Sequence, residues 1–337
     1  MSATRRERAV DVLVVGAGPA GLAVAAGLAA AGAGRVEVLE REEQAGGVPR
    51  HCHHGGFGAR TFAGLTGPGT SGPRYARSLV DAAVHAGATV RTGVSATGWA
   101  GPRTLDTTSP DGLERLTARA VVLATGARER PRSARLVPGT RPAGVYTTGE
   151  LQQAVHLYGQ YIGTRAVVVG AGPVAYAALD TLRRAGVAVA AQVTPEPRHR
   201  TTPWRAAEAR LWHGVPLLTD TAVAELAGRG RLSAVLVRHR TGRLARLACD
   251  TVVFTGDFVP DHELARRGGV PLAPGTRGPA IDAASRTEIP GVFAVGNLTH
   301  AVRSAGAVAA EGRRAAASVR RFLAAGEWPP AVRAARR

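Results

Sequence analysis

Two residue patterns in this 337-residue chain could carry chemistry. One is His51-Cys52-His53-His54, three imidazoles and a thiol in consecutive positions inside GGVPRHCHHGGFG. Such side chains ligate metals, exchange protons or react as thiolates. The other is a glycine spacing that occurs twice. Gly16, Gly18 and Gly21 follow the apolar run 12–15 as GxGxxG, and Gly170, Gly172 and Ala175 follow 166–169 as GxGxxA. The first glycine of such a turn permits the tight bend, the second lets a pyrophosphate approach the backbone, and the third position lets the helix pack on the strand. The helix behind the turn offers free N–H groups and its positive dipole end to phosphates.

The acid that completes such a site is present once. The strand RVEVLE ends at Glu40, where a carboxylate can accept hydrogen bonds from ribose hydroxyls. The matching strand of the second copy ends around Gln192 without a carboxylate, which weakens recognition of NAD. Arg198 and Arg200 lie just beyond, where a guanidinium meets a 2′-phosphate, so NADP or another adenine nucleotide is favoured there. A second site that is empty or altered is the alternative.

The histidine run argues against a metal. Successive side chains of an extended segment alternate, so only His51 with His53, or Cys52 with His54, share a side. Two ligands fall short of the four of a structural zinc site, and His85, His156, His199 and His213 show no ligand spacing to the run. A redox disulfide is also disfavoured, because Cys52 has no partner in its own loop and Cys249 is far along the chain. A single reactive Cys52 stays open beside a packing or subunit-contact role. Gly46 and Gly47 place the whole run in a loop that turns along the first nucleotide site.

Composition narrows the function classes. Hydrophobic residues make up 45%, aromatic residues 4%, and the formal charge is +18. All 43 basic residues are arginines, spread along the chain without the aromatic interleaving of a base-stacking surface. That argues against nucleic acid and for an acidic partner or anionic ligand. Two cysteines build no disulfide framework, and a reducing, cytoplasmic setting is expected. The uncharged stretch 12–34 is long enough to span a bilayer, but its six glycines and one proline follow the nucleotide-turn pattern. No membrane span or signal peptide is expected.

Two nucleotide-binding units point to an α/β fold of the two-dinucleotide-binding flavoprotein type. ARAVVLATGARERP (118–131) runs a buried strand into Thr125-Gly126, and TEIPGVFAVGNLTHAV runs another into Gly296-Asn297, before an alanine-rich helix to about Leu323. With these motifs the chain resembles the FAD/NAD(P)-binding oxidoreductases of the pyridine-nucleotide–disulfide-reductase-like superfamily. Within them it is similar to the alpha-type subunits of bacterial opine oxidase, hydrogen cyanide synthase, and proline and hydroxyproline dehydrogenases. GAGPAG, GGVPRHCHHGGFG, LATGARERPRSARLVPGTRPAGVYTTGELQQ, GAGPVAYAAL, DTVVFTGDFVPDHELAR and GVFAVGNLTHAV carry the likeness over nearly the whole chain.

The resemblance implies a split FAD domain, residues 1–148 and 250–337, with an NAD(P)-type domain at 149–249. It implies that Gly16, Gly18, Gly21 and Glu40 hold the ADP half of FAD, that Gly47 follows its pyrophosphate, and that Thr125 and Gly126 line its adenosine side. Gly296 and Asn297 would approach the ribitol and pyrophosphate, with Asn297 where many relatives carry Asp. The helix after Gly296 would point its N-terminus at the flavin. His300 is the polar candidate for a hydrogen bond or proton relay beside the ring, and a helix-entry residue without a catalytic part is the alternative. Asp257 is expected to organise a loop.

The chain departs from the family in two places. Arg303 and Gly306 stand where relatives often carry an acidic pair, and the cysteine-rich C-terminal module of some relatives is not in the sequence. The expected function is that of an FAD-dependent oxidoreductase subunit of an amine or imino-acid dehydrogenase, working with a second flavoprotein subunit plus a ferredoxin-like subunit. A self-contained NAD(P)H:acceptor oxidoreductase is the same-fold alternative, and a non-catalytic nucleotide-binding scaffold is the alternative from another class.

Overall fold

A computed structural model describes residues 5–58, 61–62, 65–66 and 69–328. The chain divides into two units, Met1–Arg50 with Gly55–Arg128 and Val259–Arg337, and His51–His54 with Glu129–Phe258.

The first unit is built on a seven-stranded sheet. Arg6–Val15 pairs in parallel with Val36–Leu39 on one side and Gly112–Leu123 on the other. Thr89–Arg91 extends the parallel edge, and Val292–Ala294 pairs with the end of Gly112–Leu123. Ser95–Gly101 and Thr104–Ser109 continue from Gly112–Leu123 as an antiparallel meander. The central strands read as unbroken apolar runs because a parallel sheet is covered on both faces, and Val12, Leu13, Val14, Val121 and Val122 are fully buried. Helix α1 (Pro19–Ala30) follows the first glycine turn, with Pro19 in the first turn, where a missing N–H costs nothing. Helix α2 (Gly72–His85) crosses to Thr89–Arg91.

Four charged side chains tie four of these strands together. Arg8 and Arg91 both reach Glu37 and Glu114, with N–O distances of 2.7 and 2.8 Å to Glu37 and 3.0 and 2.6 Å to Glu114. Glu37 is fully buried. A buried carboxylate is tolerated when charge partners and hydrogen bonds replace its hydration, as two guanidinium groups do here.

The second unit has a five-stranded sheet in the order Val145–Thr147, Thr251–Phe254, Arg165–Val169, Ala188–Val193, Leu217–Leu218, all parallel. Helix α3 (Thr148–His156) opens with a capping box between Thr147 and Glu150. Helix α4 (Pro173–Arg184) follows the second glycine turn, and α5 (Pro203–Ala207) is a short helix after Ala188–Val193. A three-stranded antiparallel meander, Thr221–Arg229, Arg231–His239 and Leu244–Ala248, completes the unit.

The chain then supplies the first unit with α6 (Glu263–Arg267) and α7 (Ala305–Ala325). Helices α1 and α7 pack through small residues. A Cβ on Gly27 would sit 3.0 Å from that of Ala316, and one on Gly312 would drive into the Ala20 carbonyl. Close backbone approach fills this part of the core, which is how a chain poor in aromatic residues closes it.

The unit boundaries differ from the sequence expectation of 148 and 250. Residues 129–148 belong to the second unit, because Val145–Thr147 is an edge of its sheet and Gly139 and Ala143 bridge to Leu226 and Arg231. Thr251–Phe254, expected to re-enter the FAD domain, lies inside the second sheet. His51–His54 also groups with the second unit. No helix among the described residues is long and apolar enough to cross a membrane.

Candidate functional site

The first glycine turn has the shape its spacing demands. Gly16 has φ +106°, and a Cβ there would collide with the Ala124 carbonyl. A Cβ on Gly21 would collide with the Gly16 carbonyl, so the third glycine serves the contact between helix and turn. At Gly18 a Cβ would meet nothing within 4 Å. That open space faces the first turn of α1, whose backbone N–H groups have no helical partners. The loop after Glu40 lies over the turn. Gly46 N–H donates to the Ala17 carbonyl at 2.9 Å, and a Cβ on Gly47 would stand 2.8 Å from Gly18 Cα.

Glu40 is buried and pins the turn. Its Oε2 accepts from Ala17 N–H at 3.0 Å and its Oε1 from Glu42 N–H at 3.1 Å. Each carboxylate oxygen has a second lone pair, so the group can still accept from ribose hydroxyls. The cradle, the open space at Gly18 and this acceptor together suit the ADP half of FAD.

Thr125 and Gly126 lie where the turn meets the strand Gly112–Leu123. The Thr125 hydroxyl donates to the Asp261 carbonyl at 2.7 Å, and Asp261 N–H donates to the Gly126 carbonyl at 2.9 Å. A charged cluster stands beside them: Arg128 reaches Asp261 and Glu263, and Arg41 reaches Asp261 at 3.5 Å. The Arg128 guanidinium holds the Glu263 carboxyl down to about 2, while burial raises that of Asp261.

Gly296 and Asn297 serve the backbone first. Gly296 N–H donates to buried Glu311 at 3.0 Å. The Asn297 side chain donates to the Arg303 carbonyl at 3.2 Å and accepts from Arg303 N–H at 2.9 Å, closing the loop before α7. The sequence did not single out Glu311, because a glutamate in an alanine-rich helix reads as surface. His300 lines a groove with residues 281–285 and the flank of α7, and Gly16, Gly18, Glu40 and Gly47 are not among the residues of that groove.

The second turn repeats the backbone and changes the chemistry. Gly170 has φ +126°, and a Cβ there would run into the Thr255 hydroxyl, while Gly172 faces open space. Ala175 is fully buried at the third position. Gln192 is buried at the strand end and donates through Nε2 to the Gly170 carbonyl at 2.8 Å. The loop beyond folds back, with Arg200 N–H donating to the Ala171 carbonyl at 2.8 Å. The Arg198 and Arg200 side chains are exposed, and Arg200 pairs with Glu196 at 3.7 Å.

The His-Cys run packs within the second unit as neighbours of α3. The Cys52 thiol donates to Gln152 Oε1 at 3.3 Å, and burial, with Glu129 nearby, pushes it up to about 12. It therefore stays protonated near neutral pH, and the reactive-thiolate role considered for it has no support in its surroundings. Cys249 is also buried and pushed up to about 11. The His53 ring stacks on His156 with centroids 4.1 Å apart and planes 1° from parallel. Burial lowers His156 to about 4, helped by His53, Arg184 and His54, and burial with Arg184 lowers His53. Among the described residues no group of three His, Cys, Asp or Glu side chains is arranged to hold a metal.

One further group escaped the sequence. Glu129 is a buried carboxylate that accepts from Gly149 N–H at the start of α3 (2.9 Å) and from Gly256 N–H (2.8 Å). Asp257, expected to organise a loop, does so at φ +55° and pairs with Arg130 at 3.1 Å.

Comparison with known proteins agrees with this architecture. The pyridine nucleotide-disulphide oxidoreductase family matches residues 10–316. An opine oxidase subunit from Agrobacterium tumefaciens (strain Ach5) is 33% identical over 188 residues, 52% of this chain and 35% of the relative. The alpha subunit of sarcosine oxidase from Corynebacterium sp. (strain P-1) is 31% identical over 277 residues, 74% of this chain and 26% of the relative. The chain thus spans about a third and about a quarter of the length of these relatives. Among solved structures, T. acidophilum thioredoxin reductase superposes with a TM-score of 0.78 at 22% identity, over 94% of this chain and 100% of that one. L-proline dehydrogenase from P. horikoshii superposes with 0.68 at 18% identity, over 96% of this chain and 57% of that one. At these identities the structural likeness is one of fold. Two glycine turns, each following a strand with parallel neighbours, and a match across most of the sequence have one reading: the chain belongs to the pyridine nucleotide-disulphide oxidoreductase family, whose members bind FAD and carry NAD(P) sites.

Proposed function

We propose that this oxidoreductase is the nucleotide-binding subunit of an enzyme that oxidises secondary amines of the amino-acid type, and that it does not reduce disulfides. The observation that carries the reading is the pair of cysteines. Disulfide exchange needs an accessible thiolate and a partner thiol. Cys52 and Cys249 are both buried, and burial pushes both thiols up, away from the thiolate. The relatives named for opine and sarcosine supply the substrate class.

FAD supplies hydride acceptance when bound, and the chain's own residues bind and orient it. The first-turn N–H groups of α1, beside the open space at Gly18, would hold the pyrophosphate, and Glu40 would accept from the ribose. Gly46 and Gly47 close the loop over the turn. Substrate oxidation is assigned to a second flavoprotein subunit, and the electron partner is a ferredoxin-like subunit.

A second reading, a self-contained NAD(P)H:acceptor oxidoreductase, is favoured by the open space at Gly172 and the exposed Arg198 and Arg200. Anaerobic mixing of the FAD-loaded protein separates the two. No flavin bleaching with NADPH or NADH, and bleaching by a secondary amine only with co-purified subunits, supports the first. Fast bleaching by NADPH alone supports the second. NADPH-driven turnover of a disulfide acceptor would overturn both.

A further inference from the structure

We propose that the groove between residues 281–285 and the flank of α7 is a binding site for a phosphate-bearing small molecule, separate from both glycine turns. Helix α7 turns Val308, Ala309, Gly312, Ala315, Ala316 and Val319 inward, which leaves arginines on the remaining faces. Arg314 and Arg321 stand on the flank that lines the groove, with Arg303 and His300 nearer the start of the helix. The groove holds about 500 Å³, a volume in the usual range of small-ligand sites.

The charges do not cancel. Two carboxylates also line the groove, and both are engaged. Asp282 accepts from the backbone N–H groups of Ala284 and Arg286, at 2.8 and 3.0 Å, and from the Arg286 guanidinium at 2.7 Å. Glu311 accepts from Gly296 N–H and lies 3.6 Å from Arg303, which accounts for the third arginine. Among the described residues neither Arg314 nor Arg321 has a carboxylate within 4.0 Å, and Arg321 donates only to the Ser318 hydroxyl at 3.4 Å. Two uncompensated guanidinium groups at one groove match the charge of a phosphate dianion, and their planar forks suit its oxygens.

The opposite wall adds an independent sign. Ser285 is buried at the groove with φ +61°, a conformation that L-residues with a side chain rarely adopt. Strain of this kind persists where surrounding structure enforces it and collects at ligand sites. Ser285 and Ser318 both line this space.

The test is calorimetric titration of FAD-saturated protein with pyrophosphate and with inorganic phosphate, at low and at moderate salt. Saturation with FAD keeps the probe out of the first glycine turn. Arg314→Gln with Arg321→Gln is expected to weaken pyrophosphate at least tenfold. Arg198→Gln with Arg200→Gln, at the second turn, is expected to leave that binding unchanged. Ser285→Gly relieves the strain and controls for folding, and it should weaken the probe severalfold while raising the melting temperature. Pyrophosphate affinity that is undetectable, or insensitive to the Arg314 and Arg321 changes, overturns the proposal. So does tighter, Arg314-dependent binding of an oligoglutamate peptide, which would make the groove a contact for an acidic protein.

Discussion

The two glycine turns are the same backbone device with opposite hydrogen-bond polarity at one position. In both, the first glycine sits at positive φ against a group that a Cβ would strike, and the second faces open space. In both, the residue at the end of the next strand is buried and pins the turn. Glu40 does this by accepting from Ala17 N–H, and Gln192 does it by donating to the Gly170 carbonyl. A carboxylate keeps acceptor lone pairs for ribose hydroxyls, whereas an amide facing a carbonyl is oriented as a donor. The structural duty is shared by the two copies, and the chemistry that selects a ligand is not.

The largest expected effects come from the third position. Gly21→Ala forces a methyl into the Gly16 carbonyl and should destabilise the first unit by about 3 kcal/mol, the upper end of overpacking costs. Ala175→Gly makes the reverse change in the second unit, where the lost methyl and helix propensity together cost about 1–2 kcal/mol. Denaturant unfolding followed by flavin release tests the pair, and equal losses would remove the contrast between the turns.

Exchanging the strand-end residues comes next. Glu40→Gln should weaken FAD at least tenfold in equilibrium titration. Gln192→Glu sets an acceptor against the Gly170 carbonyl and should cost about 1–3 kcal/mol in thermal unfolding, the penalty of an unmade buried hydrogen bond. No loss in the second variant would show that Gln192 does not pin its turn.

A smaller effect follows pH. In the folded state His156 is lowered to about 4 from 6.5, and His53 is lowered as well. The unfolded chain takes up these protons first, so the stabilisation is full above about 6.5 and is lost as pH falls toward 4. Melting temperature should drop across that window, and less steeply in His156→Gln. A slope unchanged by that substitution would assign the pH dependence to other groups. Last, iodoacetamide at pH 8 should leave both cysteines of the folded protein unmodified and label them only after denaturation. Rapid labelling of Cys52 in the native protein would reopen its role as a reactive thiol.

Much of the scaffold was legible because its signals are local. A glycine spacing, an apolar run before it and a residue some twenty positions later lie in one strand-turn-helix-strand unit, so neighbours in sequence decide their conformation. The unit boundary was less legible. Thr251–Phe254 carries the apolar pattern of any buried strand, and only pairing with Arg165–Val169 and Val145–Thr147 assigns it to the second sheet.

Local sequence was enough to specify the two turns, their flanking strands and the one acidic strand end, through steric limits on glycine and the burial of apolar runs. What the polar side chains do was settled only by three-dimensional packing. His53 meets His156, Cys52 meets Gln152, Arg8 and Arg91 meet Glu37 and Glu114, and Ser285 and Arg314 come to line one groove. Nothing in the local pattern marks such pairs, because a buried polar group takes its partner from whichever segment the packed core brings beside it.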